Sequence, residues 1–327
     1  MFKGARGVVP QVRQHATLAS FFLLILFFAL ALPDTFLTGR NLLNITQQMS
    51  MLMVTASAMT IVMAMGDYDL SVGSMASLVG IVAAVTFRTT GSEMAVLCAA
   101  LGVGLLGGAF NGILVSFLNI IPFVATLGTL TMFSGFAFLI AGGKTLFGSE
   151  IPPHFSAFAR GSVPLLSHET ITVALPHLTL VAAIVLILVW FLLEKKIFGR
   201  HLYAIGSNRE AAHLAGIAVK RTRLIAFVLS GLGAALAGLL YMSRVASANP
   251  TQGAGLMLDA IAAVFIGMTM TRQGEPKLWA TMIGVLFLGV LSNGLTQLSV
   301  DSYIRDILVG ALIIIAVSVS RFEKDAR

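Results

Sequence analysis

Apolar residues fill this chain in long runs, and polar clusters interrupt them at intervals close to the ~20 residues an α-helix needs to cross a bilayer. The first runs cover about 17–32, 44–65 and 74–87. From Met94 to Gly143, fifty residues pass without one Asp, Glu, Lys, Arg or His, which is room for two helices. The break between those two falls at 119–122, because Pro122 starts a helix more readily than it continues one. Residues 144–174, with Pro152, Pro153 and Pro164, read as a mixed loop. Further runs follow at about 175–193, 224–242, 256–271, 278–298 and 303–320. The pattern predicts an all-α, polytopic membrane protein of about ten transmembrane helices, forming a single domain over 1–327. Gly104, Gly108 and Gly112 recur four apart on the fourth span, a spacing that lets helix backbones approach closely. Asn111-Gly112 and Asn293-Gly294, five spans apart, echo each other as inverted repeats do, and coincidence explains the pair equally well.

One interruption differs from the rest. Residues 194–223 read EKKIFGRHLYAIGSNREAAHLAGIAVKRTR, with seven Lys or Arg against two Glu. Ser207 and Glu210 have capping-box spacing. Ala211, Ala212, Leu214 and Ala215 supply a small apolar face, and Gly216 sits where a left-handed residue ends a helix. Two turns of isolated helix are marginal in water. The segment therefore reads either as a solvated loop with an incidental turn or as a helix that docks into a groove of a soluble partner.

Composition sharpens the picture. Of 327 residues, 57% are hydrophobic and 11% charged, against about 25% charged in soluble domains. The net charge of +7 lies in loops beside apolar runs, so the positive-inside rule explains it and nucleic acid is not called for. With the N-terminus inside, ten spans leave Lys3, Arg6, Arg13, Lys195, Lys196, Arg200, Arg209, Lys220, Arg221, Arg223, Arg272, Lys277, Arg321, Lys324 and Arg327 inside. That is 15 cations, against six outside: Arg40, Arg88, Lys144, Arg160, Arg244 and Arg305. Both termini are thus expected in the cytoplasm. Ala29-Leu30-Ala31 resembles a signal-peptide cleavage site, and a retained first helix is the competing reading. Cys98 lies in an apolar run as a small packing residue.

Chemistry is scarce. Gly143-Lys144-Thr145 looks like the end of a phosphate-binding loop, but Phe138 stands where the motif needs glycine, and an apolar helix precedes it rather than a strand. The six histidines have no metal-ligand spacing. Asp69, Asp259 and Asp306 are the acids near apolar runs, each close to an end. The chain reads as a pathway without its own energy source, not an enzyme.

Three stretches carry a resemblance. GDYDLSVGS at 66–74, Asn111-Gly112 followed by PFVATL at 122–127, and GRHLYAIGSNREAAHLAGI at 199–217 are similar to the permease subunits of ribose-type ABC sugar importers, in order and over nearly the whole chain. The resemblance implies a bacterial inner-membrane protein that binds no cofactor itself. A separate cytoplasmic ABC ATPase would hold ATP-Mg. A periplasmic sugar-binding protein would deliver substrate, and a second permease copy or related permease would complete the pathway. It also implies that 194–223 is a coupling loop, in which Ser207, Asn208, Arg209, Glu210, Ala211, Ala212, Leu214, Ala215 and Gly216 rest in a cleft of the ATPase. Gly73, Asp69, Ser71 and Pro122 match the family pattern. Tyr68 departs from it, since a hydrophobic residue is usual there, and Asp67 is therefore not carried over as a shared functional position. Asp69 reads as the N-cap of the third helix in preference to a substrate contact.

Asn44, Gln47, Gln48, Asn111 and Asn293 are the candidates for the substrate pathway, because a sugar needs hydrogen-bonding partners and polar groups in a membrane must be satisfied. Taken singly, each is better explained by a bond to a neighbouring helix. The alternative to an importer subunit is a stand-alone secondary carrier or facilitator, for which an ionisable residue well inside a span is expected. A non-transporting scaffold or receptor is a remoter third.

Overall fold

A computed structural model describes residues 8–168, 171–271 and 274–322. Helices dominate it: α1 (Val8–Ala31), α2 (Gly39–Ala64), α3 (Val72–Thr90), α4 (Glu93–Ser116), α5 (Pro122–Ala141), α6 (Pro153–Arg160), α7 (His177–Trp190), α8 (Ile197–Ser207), α9 (Arg209–Leu214), α10 (Val219–Val245), α11 (Ala254–Met268), α12 (Leu278–Gln297) and α13 (Ser302–Phe322). Among the described residues, α2, α3, α4, α5, α10, α12 and the helix from His177 to Lys195 are long and apolar enough to cross a membrane. Thr17–Ala31 and α11 are shorter apolar helices. The cations Lys3, Arg6, Arg272, Lys324 and Arg327 of the charge count lie outside the described residues.

α2 is the axis of the bundle. From Met49 to Ala64 only Met53 escapes full burial, and α7, α10, α11 and α12 pack around it. Its hydroxyls are satisfied without water: Thr55 donates to Met51 O, Thr60 to Ala56 O, and Thr60 meets Thr281 of α12 at 3.0 Å. This is the pairing that a hydrocarbon surrounding demands of polar groups. The most extensive helix pair is α4 with α10, and small residues make it possible. A Cβ on Gly104 would lie 2.6 Å from Gly231 O, and one on Gly231 would lie 2.2 Å from Gly104 O. The recurring glycines of the fourth span are thus the seam against α10.

Pro122 begins α5, as its fixed φ favours, and Asn119 turns the chain with φ +54° just before it. The segment 144–174 differs from the mixed loop expected. It contains β1 (Leu146–Phe147), a 3-10 turn, α6 and a hairpin of β2 (Ser162–His168) with β3 (Ile171–Pro176). β1 pairs antiparallel with β4 (Ser247–Ala248), with Leu146 opposite Ala248, and so joins the ends of α5 and α10. The run 256–271 ends early as a helix: α11 stops at Met268, and Thr269 is its C-cap.

Candidate coupling segment and the polar clusters beside it

The charged stretch folds as two helices rather than a loop with one turn. After α7 the chain passes through a π-helical turn at Phe191–Lys195 and reverses so tightly that a Cβ on Gly199 would meet Leu193 O at 2.0 Å. Leu202 and Ile205 of α8 are buried against the bundle. Tyr203 donates to Pro276 O at 3.0 Å, and Lys277 Nζ lies 3.8 Å from the centroid of its ring. Burial, with Glu194 and Glu275 nearby, raises the Tyr203 phenol well above its ordinary value, so its proton stays in place for that bond.

α9 has written ends, though not the N-terminal one expected. Ser207 is still helical, closing α8, and Asn208 is the N-cap of α9, its side chain accepting from Ala211 N at 2.9 Å. Asn caps as well as Ser, and Asn208 N still donates to Ala204 O, so the break comes one residue later. At the other end Gly216 has φ +83°. Gly216 N bonds His213 O while Ile217 N bonds Ala212 O, the paired pattern of a Schellman cap. The apolar face predicted for this helix is divided. Ala212 is 5% exposed and packs against the bundle, whereas Leu214 is 82% exposed, and Ala211 and Ala215 are also exposed.

Two acids of the 66–74 stretch anchor this region. Asp67 is 2% exposed. Its Oδ1 accepts from Arg209 Nη2 at 2.9 Å and its Oδ2 from Arg223 Nε at 2.8 Å. Arg223 is buried too and donates from Nη1 to Val115 O at 3.2 Å. One carboxylate therefore ties α9, the start of α10 and the end of α4 together. Sequence spacing missed it, because the partners lie more than 140 residues away; the only signal was an acid at the junction of two apolar runs.

Asp69 sits at the centre of a second buried cluster. Oδ1 accepts from Ser71 N and Ser71 Oγ, and Oδ2 accepts from Ser230 Oγ at 2.7 Å. The chain of bonds continues: Asn111 Nδ2 donates to Ser71 Oγ, and Thr129 Oγ1 donates to Asn111 Oδ1, each at 2.7 Å. Burial raises the Asp69 carboxyl, and the bonds from Ser71 and Ser230 oppose that rise. Asp69 is not the N-cap of α3, a place held by Ser71 without a side-chain cap bond. It closes the turn before the helix and joins α3, α4, α5 and α10. Gly73 serves packing, since its Cβ would meet Gly253 O at 2.4 Å.

The pathway candidates do not converge. Asn111 belongs to the Asp69 cluster. Asn293 accepts from Asn41 Nδ2 and Gln297 Nε2 at 3.0 and 2.8 Å. Asn44 and Gln47 line a recess of about 950 Å³ beside β2 and β3, where Gln47 donates to Ala159 O. Gln48, on another face of α2, lines a separate cavity.

The sequence model of the family described as branched-chain amino acid transport system, permease component, matches residues 41–317. The chain is 36% identical to the ribose import permease protein RbsC of Bacillus subtilis over 300 residues, covering 92% of this chain and 90% of that one. It is likewise 36% identical to the Escherichia coli K12 ribose import permease protein, covering 88% of each chain. Identity to the D-allose transport system permease protein AlsC of the same organism is 32%, over 91% of this chain and 89% of that one. No solved structure matches.

Proposed function

As a member of the permease family of ribose-type ABC sugar importers, the chain is a multi-pass membrane transport protein, and we propose that it forms the transmembrane pathway for a monosaccharide, driven by ATP hydrolysis in a partner subunit. On this reading a periplasmic sugar-binding protein delivers the substrate and a second permease completes the pathway. The spans number ten: the seven long helices, Thr17–Ala31, α11 and α13.

The observation that carries the ATPase partner is the construction of α9. It is capped at both ends, seated through Ala212, and held by Arg209 on Asp67. Leu214 points away from the bundle, beside Glu210. A two-turn helix fixed this firmly, with an apolar side chain turned outward, is built to be read by another surface. Because Ala212 faces inward, the docking contact belongs to Glu210, Leu214 and the exposed Ala211 and Ala215.

The test is copurification with a candidate ABC ATPase partner from the same cell. Leu214→Asp and Glu210→Arg are expected to reduce ATPase recovery at least tenfold while the permease itself is extracted in normal yield. Full retention of the ATPase by both variants would remove α9 as the dock and return weight to the stand-alone carrier.

A further inference from the structure

Between α9, the end of α4 and the start of α10 lies a pocket of about 780 Å³. It opens onto the first turn of α10, since Ala218, Val219, Lys220 and Arg221 all line it. That turn is left bare. Its N-cap, Ala218, makes no side-chain cap bond, and the turn contains no acid. The positive end of a 27-residue helix therefore faces the pocket unneutralised. Arg209 and Arg223 line it as well, so four Lys or Arg stand against two acids, Glu210 in the lining and Asp67 behind it. The C-terminal carbonyls of α4, which would repel an anion, are partly answered by Arg223, whose Nη1 donates to Val115 O.

A second observation points the same way. Ser116, the last residue of α4, lines the pocket and is 1% exposed. Its Oγ is buried without a hydrogen-bond partner among the described residues, whereas the buried hydroxyls of Thr60, Ser71 and Ser230 are all bonded. A buried hydroxyl left unpaired is costly, and one beside a bare helix N-terminus and surplus cations is completed by an anionic oxygen. Phosphate fits this set best, because its several oxygens can meet a hydroxyl, a helix terminus and a guanidinium together.

The surroundings select the form of phosphate. Phe117, also in the lining, is exposed, and so are Leu118 and Ile121 next to it. A soluble phosphate has no use for an apolar rim, but an acyl chain does. The cation count puts this end of the bundle on the cytoplasmic side, where basic pockets beside membrane helices meet anionic headgroups. A zwitterionic headgroup would bring its own ammonium towards Lys220 and Arg221, so the surplus charge favours a net anion.

We propose that this pocket binds the headgroup of an anionic phospholipid of the inner leaflet, with Ser116, Lys220, Arg221 and the start of α10 holding the phosphate and Phe117 and Ile121 meeting the chains. Such a lipid would sit behind α9, on the side away from Leu214. A stand-alone carrier would hold it equally well, so the site is independent of the importer reading.

The experiment titrates the detergent-purified, full-length permease with dioleoylphosphatidylglycerol or dioleoylphosphatidylcholine and counts bound lipid by native mass spectrometry. Wild type is expected to take up one phosphatidylglycerol with roughly tenfold preference over phosphatidylcholine. The double variant Lys220→Gln, Arg221→Gln should abolish that preference, and Ser116→Ala should weaken it. Lys195→Gln with Lys196→Gln removes the same charge from exposed positions outside the pocket and should bind as wild type. Monodisperse elution certifies each variant as folded, and Lys220→Gln alone replaces the double variant if that one fails. Equal uptake of the two lipids, or equal losses in the pocket and control variants, would overturn the site. Displacement of the lipid by excess glycerol 1-phosphate or inorganic phosphate would overturn the lipid as occupant in favour of a soluble anion. Pocket substitutions that abolish ATPase copurification but spare lipid binding would assign the pocket to the protein interface instead.

Discussion

Asp67 and Asp69 stand two residues apart and do different things. Asp67 neutralises Arg223, which is as buried as itself, and reaches Arg209, whose side chain is 47% exposed. Removing one partner of a buried pair leaves a charge uncompensated and costs on the order of 3–5 kcal/mol, whereas an exposed arm contributes at most about 1 kcal/mol. Asp67→Asn should therefore lower the melting temperature of the detergent-purified permease markedly, and Arg209→Ala only slightly. Equal melting losses would show that the buried half of the clamp carries no special weight. Asp69 gathers donors from two serines, one of them bonded on to Asn111 and Thr129. The acid that sequence spacing marks as a helix cap is thus a junction of four helices.

At the scale of elements, the α4–α10 seam and α9 show two ways in which a short pattern acquires meaning. Glycines four apart state that close approach is allowed; the partner is α10, and Gly231 answers Gly104 across the contact. Gly231→Val would drive a side chain into Gly104 O, so we expect loss of the folded, monodisperse species in size-exclusion chromatography. Gly102→Val on the same helix, where nothing lies within 4 Å of a new Cβ, should elute as wild type. If the two behave alike, the seam is not where the structure has it. In α9 the sequence marks a cap and a small apolar face, but which alanine seats the helix depends on its rotation. That rotation is set by Ala212 entering the cluster with Leu193, Leu202 and Ile205.

For the whole molecule, α9, Asp67 and the end of α4 cluster at one end of the bundle, and β1, β4 and the β2–β3 hairpin lie where the opposite ends of α5, α10 and α7 begin or stop. Orientation is open to direct measurement. With Cys98, which is exposed, replaced by Ala, a membrane-impermeant maleimide added to intact spheroplasts should label Thr251→Cys and not Ser207→Cys, and inverted vesicles should give the reverse. Labelling of both from the same side would mean that α10 does not cross the membrane.

Membrane class, the position of most helices, the place of the charged segment and the family are determined by the sequence itself, because hydrophobicity, proline and glycine placement and short motifs are local quantities read along the chain. Pairing is not local. Helices such as α5 and α7 are apolar all round, so nothing in their order of residues says which face meets protein and which meets lipid. Only the tertiary structure decides that Asp67 meets Arg209 and Arg223, that Ala212 turns in while Leu214 turns out, and that Ser116, Arg209 and Lys220 share one pocket. Each of these contacts requires several helices to be fixed in rotation and depth at once, and that register comes from the packing of the whole bundle.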